Sequence, residues 1–143
     1  MVHTVVPMVL TIVLAAIGVL HFVWAFSPWP LKDAVTFTKA IGGSDDGAMP
    51  SAFSTVAVGL ALIGGAVLTL MVNESIPALG PDWLLLVGMY VLTAVLLARG
   101  LGGYFMNAGM AAEFQQLNTV LYSPLCVALA ALGGIVAVAA SRR

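Results

Sequence analysis

The sequence predicts an all-α fold, an integral membrane bundle of four transmembrane helices in up-down-up-down order that forms a single domain over residues 1–143. Hydrophobic residues make up 62% of the chain and charged residues only 8%, and the mean hydropathy of +1.10 exceeds that of soluble domains. Four apolar runs are each about 20 residues long, the length of helix that crosses a bilayer.

The four transmembrane spans are predicted at residues 5–26, 51–72, 83–99 and 119–140. Each is predicted to be helical because a helix satisfies its backbone hydrogen bonds internally within lipid. The first run is longer than the apolar region of a signal peptide, and no Lys or Arg precedes it. We therefore expect a retained helix rather than a cleaved leader.

The connections between the spans are rich in turn-forming residues. The first and longest, residues 27–50, contains three prolines, and a short amphipathic helix is predicted near residues 31–40. The second, residues 73–82, is short, and the third covers residues 100–118. Arg142 and Arg143 directly follow the last span, so both termini are predicted to be cytoplasmic, although Lys and Arg are almost balanced between the two sides.

Alternating helix directions bring eight of the polar residues of the four spans to one end of the bundle. These residues are His21, Trp24, Ser54, Thr55, Arg99, Tyr122, Ser123 and Cys126. From them we select a candidate ligand or polar site that contains His21, Trp24, Arg99, Tyr122, Ser123 and Cys126. The catalytic residues and the cofactor, if the site has either, stay unknown at this stage, and no metal site is predicted.

His21 and Trp24 are three residues apart and therefore share a helix face. The imidazole could form an interhelical hydrogen bond, bind a cofactor or relay a proton. His3 cannot complete a bis-histidine haem site with His21 in one subunit, because ~27 Å of helix separates them. Cys126 lies in apolar surroundings, which predicts an unreactive thiol.

Arg99 is the most costly residue to place in lipid, at ~2.5–3.5 kcal/mol in the middle of a helix. It is either an interfacial anchor or a side chain that points partly into the bundle, and we predict the inward orientation. Tyr122, Ser123 and loop carbonyls are the expected acceptors. Asp33 and Glu113 are the expected counter-charges.

Three segments together resemble one known family. They are His21-x-x-Trp24-Ala25, Arg99-x-x-Gly102, and Phe114-Gln-Gln-Leu-Asn-Thr-Val-Leu-Tyr-Ser-Pro-Leu-Cys126. The chain is identified over nearly its whole length as similar to the bacterial four-helix membrane family catalogued as domain of unknown function 3995. The resemblance implies the same fold and a multi-pass protein of the bacterial inner membrane, and it implies no activity. Where that family often has an acidic residue, this chain has Gly103. Where the family often has Asp, this chain has Asn118.

The favoured function is a non-catalytic protein that binds a lipid or small ligand, or an accessory subunit of a membrane complex. One alternative is a membrane-embedded enzyme that uses His21 with Arg99 or Tyr122. Another is an oligomeric small transporter or channel, although no predicted span carries an acidic residue that could move a proton. The expected partners are the lipid bilayer and either membrane proteins or further copies of the chain. The net charge of −1 argues against nucleic acid as a partner.

Overall fold

The computed structural model describes residues 4–143, so His3 lies outside the described residues. Within this range every regular element is helical. The helices are α1 (Val5–Trp24), α2 (Ala34–Phe37), α3 (Ala52–Val72), α4 (Asp82–Phe105), α5 (Ala112–Leu117) and α6 (Ser123–Ser141). Two π-helical segments complete the fold: Thr38–Gly42 continues α2, and Asn118–Tyr122 joins α5 to α6.

Four helical stretches are long and apolar enough to cross a membrane: α1, α3, α4 and the continuous stretch Ala112–Ser141. Between 17% and 39% of the most apolar part of each stretch is buried inside the protein. Most of the apolar surface of these helices is thus left uncovered by the protein itself, as is typical of helices that are surrounded by lipid. The predicted all-α bundle of a multi-pass membrane protein is confirmed.

The ends of the helices follow local sequence signals. Ser51 caps α3 by accepting a hydrogen bond from the backbone N–H of Ser54 at 3.1 Å. Pro81 immediately precedes α4, and Pro124 lies in the first turn of α6, where the missing donor of proline costs nothing. These signals place three of the four span starts close to their predicted positions.

Helix α4 continues to Phe105, well past the predicted end of the third span at residue 99. The glycines after Arg99 stay helical, and α6 packs directly against two of them, Gly100 and Gly103. A methyl group at Gly100 would lie 2.7 Å from Cγ2 of Val127 and 3.0 Å from the carbonyl oxygen of Ser123. Part of the stretch predicted as the third connection is therefore a helix–helix contact.

Helix α1 packs along α3, and α4 packs along α6. Gly18 and Gly59 mark the close crossing of the first pair, since a methyl group on either would lie 3.1 Å from the carbonyl oxygen of the other. Between the pairs lies a core of fully buried side chains that includes Leu10, Leu14 and Met89. The two pairs thus form one bundle with a thin apolar core.

A short segment, residues 34–43, covers one end of the bundle, and we call it the strap. Its Phe37 is 2% exposed and packs edge-on against Trp24, with ring centroids 5.6 Å apart. The carbonyl oxygen of Gly43 accepts a hydrogen bond from the backbone N–H of Ala111 at 3.0 Å. The predicted helix near residues 31–40 therefore exists, but it begins at Ala34. We call the end under the strap the polar end.

Candidate functional site

The π-helical segment between α5 and α6 creates a polar cluster at the polar end. The backbone N–H of Ser123 bonds to the carbonyl oxygen of Asn118, five residues earlier. This spacing puts both side chains on one side of the helix. Ser123 Oγ donates a hydrogen bond to Asn118 Oδ1 at 3.3 Å. Asn118 is 1% exposed and Ser123 is fully buried, so a polar pair lies inside the apolar bundle.

Asn118 connects this pair to helix α4. Both terminal nitrogens of Arg99, Nη1 and Nη2, donate to Asn118 Oδ1, at 3.2 and 3.1 Å. Asn118 Nδ2 donates to the carbonyl oxygen of Gly103 at 2.7 Å and to Oδ1 of Asn107 at 2.7 Å. The Asn118 side chain therefore presents its oxygen, an acceptor, to the Arg99 donors. It presents its nitrogen, a donor, to the carbonyl oxygen of Gly103.

Gly103 leaves the space in which this network forms. A methyl group there would lie 2.7 Å from Arg99 Nη1 and 3.1 Å from Asn118 Nδ2, and it would clash with Oγ of Ser123. Any larger residue at this position must displace the network. By contrast, a methyl group at Gly102 would meet nothing within 4 Å.

The Arg99 side chain is exposed on the side of the bundle. Apolar residues continue past it along α4, since Leu101, Tyr104 and Phe105 are also exposed. Arg99 therefore lies within the apolar surface, more than one turn before the helix ends. Within residues 4–143 no carboxylate lies within 4.0 Å of its guanidinium.

Arg99 is exposed and yet reaches the buried Asn118, so the inward orientation stays a prediction, and the acceptor differs from those expected. Asn118 supplies the acceptor, whereas Ser123 bonds to Asn118. The expected counter-charge Asp33 instead caps α2 by accepting from the backbone N–H of Thr36 at 2.8 Å. That bond to the Thr36 amide is also the main reason why the pKa of Asp33 is lowered. Glu113 lies in the first turn of α5 and forms no ion pair among the described residues.

His21 and Trp24 belong to a separate aromatic group at the same end. Their ring centroids are 5.1 Å apart, and Trp24 also contacts Phe37 of the strap. His21 Nδ1 donates to the carbonyl oxygen of Ile17 at 2.8 Å, which is a bond within α1 rather than between helices. In the neutral ring this arrangement makes Nε2 the acceptor.

Tyr122 joins the strap to the base of α6. Its hydroxyl donates to the carbonyl oxygen of Ala40 at 3.0 Å, and its ring lies 6.0 Å from that of Phe114. Cys126 is half-buried and free. Ser54 and Thr55 both donate to the carbonyl oxygen of Ser51 in the first turn of their own helix.

Four of the six predicted site residues separate into two groups that share one end of the bundle, whereas Tyr122 bonds to the strap and Cys126 makes no hydrogen bond among the described residues. Arg99 and Ser123 belong to the Asn118 network, and His21 and Trp24 belong to the aromatic group under the strap. Asn107 and Asn118 were not among the predicted site residues, and Gly103 and Asn118 were noted only as departures from the family pattern. The spacing of four between Arg99 and Gly103 was the available signal, because it puts both on one helix face. Whether these residues act as a functional site stays a prediction.

Comparison with known proteins gives a family but no activity. No curated protein and no solved structure matches the chain. The model of the family described as "Protein of unknown function (DUF3995)" matches residues 14–133. This range includes the whole Asn118 network and the Tyr-Ser-Pro-Leu-Cys segment at the start of α6. The chain belongs to the DUF3995 family.

Proposed function

We propose that this protein is a non-catalytic membrane protein that binds an anionic amphiphile, such as a lipid with a phosphate or carboxylate headgroup, at Arg99. One observation carries the proposal: an arginine within the apolar surface is held in place by a neutral amide. Its guanidinium has five N–H donors, and two of them point to Asn118 Oδ1. The other three have no hydrogen-bond partner among residues 4–143.

The chemistry of this arrangement favours an oxyanion. Asn118 fixes the position of the cation without cancelling its charge, and an unpaired arginine in lipid is costly. A phosphate or carboxylate would satisfy the remaining donors through charge-assisted hydrogen bonds, for which the planar guanidinium is well suited. The exposed apolar side chains of Leu101, Tyr104 and Phe105 could contact the attached hydrocarbon chain. A lipid therefore fits better than a soluble ion.

An enzyme that uses His21 with Arg99 or Tyr122 is less well supported. His21 bonds to Ile17, Arg99 bonds to Asn118, and Tyr122 bonds to Ala40. An acid–base group must lie within hydrogen-bond reach of the proton that it transfers, and within residues 4–143 no hydrogen bond joins any two of these three side chains. Binding without catalysis is therefore the simpler proposal.

The proposal includes a location and an orientation. We place the protein in the bacterial inner membrane with both termini in the cytoplasm, because Arg142 and Arg143 follow the last span. In this orientation the strap and Arg99 lie on the opposite side. The headgroup would then come from the outer leaflet.

The test is lipid binding by the purified protein in phosphatidylcholine nanodiscs. Phosphatidylglycerol is titrated in, and bound lipid is counted by native mass spectrometry. We expect Arg99→Gln to weaken phosphatidylglycerol binding at least 10-fold and Arg99→Lys to weaken it less, because lysine keeps the charge but loses the planar fork. Arg142→Gln, which removes an exposed cation at the other end, is the matched control.

Two results would overturn the proposal. One is equal affinity of the native protein and a folded Arg99→Gln variant for phosphatidylglycerol. The other is equal loss of affinity in the Arg142→Gln control, which would show a general charge effect. The thermal unfolding midpoint of each variant separates loss of binding from loss of fold.

A further inference from the structure

A cavity lies at the end of the bundle opposite the strap. It has a volume of about 300 Å³ and opens between the ends of α3 and α6 and the start of α4. Its lining includes Val72, Glu74, Asp82, Trp83, Ala140 and Arg143. An apolar floor thus meets a charged and aromatic rim.

The charges on the rim do not cancel. Arg143 Nη1 donates to Glu74 Oε1 at 2.8 Å, and Nη2 donates to the carbonyl oxygen of Val72 at 3.4 Å. Glu74 therefore has its counter-charge. Asp82 forms no ion pair among the described residues, so the side chains that line the cavity have a net charge of −1.

From this geometry we infer that the cavity binds an organic ammonium ion, either the headgroup of an amine-containing lipid or a small amphiphilic amine. Asp82 supplies the opposite charge, and the indole of Trp83 supplies an aromatic surface to which ammonium groups are attracted. The volume is at the lower limit of small-molecule pockets, so it accommodates a headgroup but not an acyl chain. Asp82 and Arg99 are separated by ~25 Å of helix α4. The inference therefore does not depend on the anion site.

The test uses the indole N–H resonance of Trp83 in the full-length protein in nanodiscs. Tetramethylammonium and dodecyltrimethylammonium are titrated separately, with sodium chloride and the uncharged dodecyl maltoside as reference additives. We expect a saturable shift with at least one ammonium probe and none with either reference. Binding of tetramethylammonium alone would indicate a small amine as the ligand, and binding that requires the dodecyl chain would indicate a lipid.

Two variants test the assigned residues. Asp82→Asn should weaken binding of the ammonium probe at least 10-fold, whereas Glu113→Gln, which removes one negative charge at the polar end, should leave it unchanged. Asp82 also lies in the first turn of α4, where a negative charge stabilises the helix, so its replacement changes stability as well as binding. Trp83→Leu therefore provides a second test that keeps the charge. We expect it to weaken binding about 5-fold by native mass spectrometry. The inference fails if the shift does not saturate, if dodecyl maltoside reproduces it, or if neither variant changes the affinity.

Discussion

Arg99 and Asn118 meet at a single oxygen atom, since both terminal nitrogens of the guanidinium donate to Asn118 Oδ1, at 3.2 and 3.1 Å. An aspartate in the same place would form an ion pair. The amide instead positions the guanidinium and leaves its charge available. The chemistry that we propose for this family member therefore depends on a residue that carries no charge of its own.

Asn118→Asp should weaken the binding of phosphatidylglycerol at least 10-fold, because the new carboxylate competes with the lipid for Arg99. Native mass spectrometry of the variant in nanodiscs measures this loss. Asn73→Asp is the matched control, since it adds the same charge at the opposite end of the bundle. Unchanged affinity in Asn118→Asp would show that the charge of Arg99 does not govern binding.

Gly103→Ala should lower the free energy of unfolding by about 1–3 kcal/mol, because its methyl group overlaps the Ser123 hydroxyl and crowds Arg99. Gly102→Ala should be neutral or stabilising by up to about 1 kcal/mol, since the added methyl group meets nothing within 4 Å and alanine favours the helix. Equilibrium unfolding in mixed micelles compares the two. Equal stability of these neighbouring variants would contradict the packing described here.

Tyr122→Phe should loosen the strap. The hydroxyl bond to Ala40 is lost, at a cost of about 0.5–1.5 kcal/mol. Amide exchange at Ala111, which bonds to Gly43 of the strap, should become faster. Tyr104→Phe is the control, because Tyr104 is exposed and its hydroxyl has no hydrogen-bond partner among the described residues. Equal exchange at Ala111 in both variants would argue against a role for this hydroxyl in holding the strap.

The cap of α2 should depend on pH. The pKa of Asp33 lies below the ordinary value of 3.8, chiefly because its carboxylate accepts a hydrogen bond from the Thr36 amide. A lowered pKa in the folded state means that this contribution to stability is complete above pH 3.8 and is lost as the pH falls through the folded pKa. The amide resonance of Thr36, followed by NMR from pH 6 to pH 2, should titrate in this acidic range. In Asp33→Asn, which caps the helix without titrating, that transition should disappear.

The number of membrane helices could be predicted from hydrophobicity, because lipid requires long apolar helices wherever the chain crosses it. The end of α4 could not be predicted in this way. The glycines after Arg99 are typical of a turn when they are considered locally. They nevertheless stay helical, and Val127 and Ser123 of α6 pack against Gly100. Such contacts between distant segments are absent from a local pattern.

The candidate site was predicted only in part for a similar reason. Arg99 and Ser123 could be identified because polar residues are rare in a membrane span. Asn118 was placed just outside the fourth span, and a regular α-helix gives no reason to pair it with Ser123. Only the π-helical register brings these two side chains together.

That register also determines how the chain would respond to a change in length. The wide turn at Asn118–Tyr122 holds one more residue than an α-helical turn would need. Deleting a single residue there would restore a regular α-helix and rotate α5 by about 100° relative to α6. Helix α5 could then no longer contact the strap while α6 contacts α4. A one-residue deletion at this point would therefore be less well tolerated than a longer deletion in the exposed connection that follows α3.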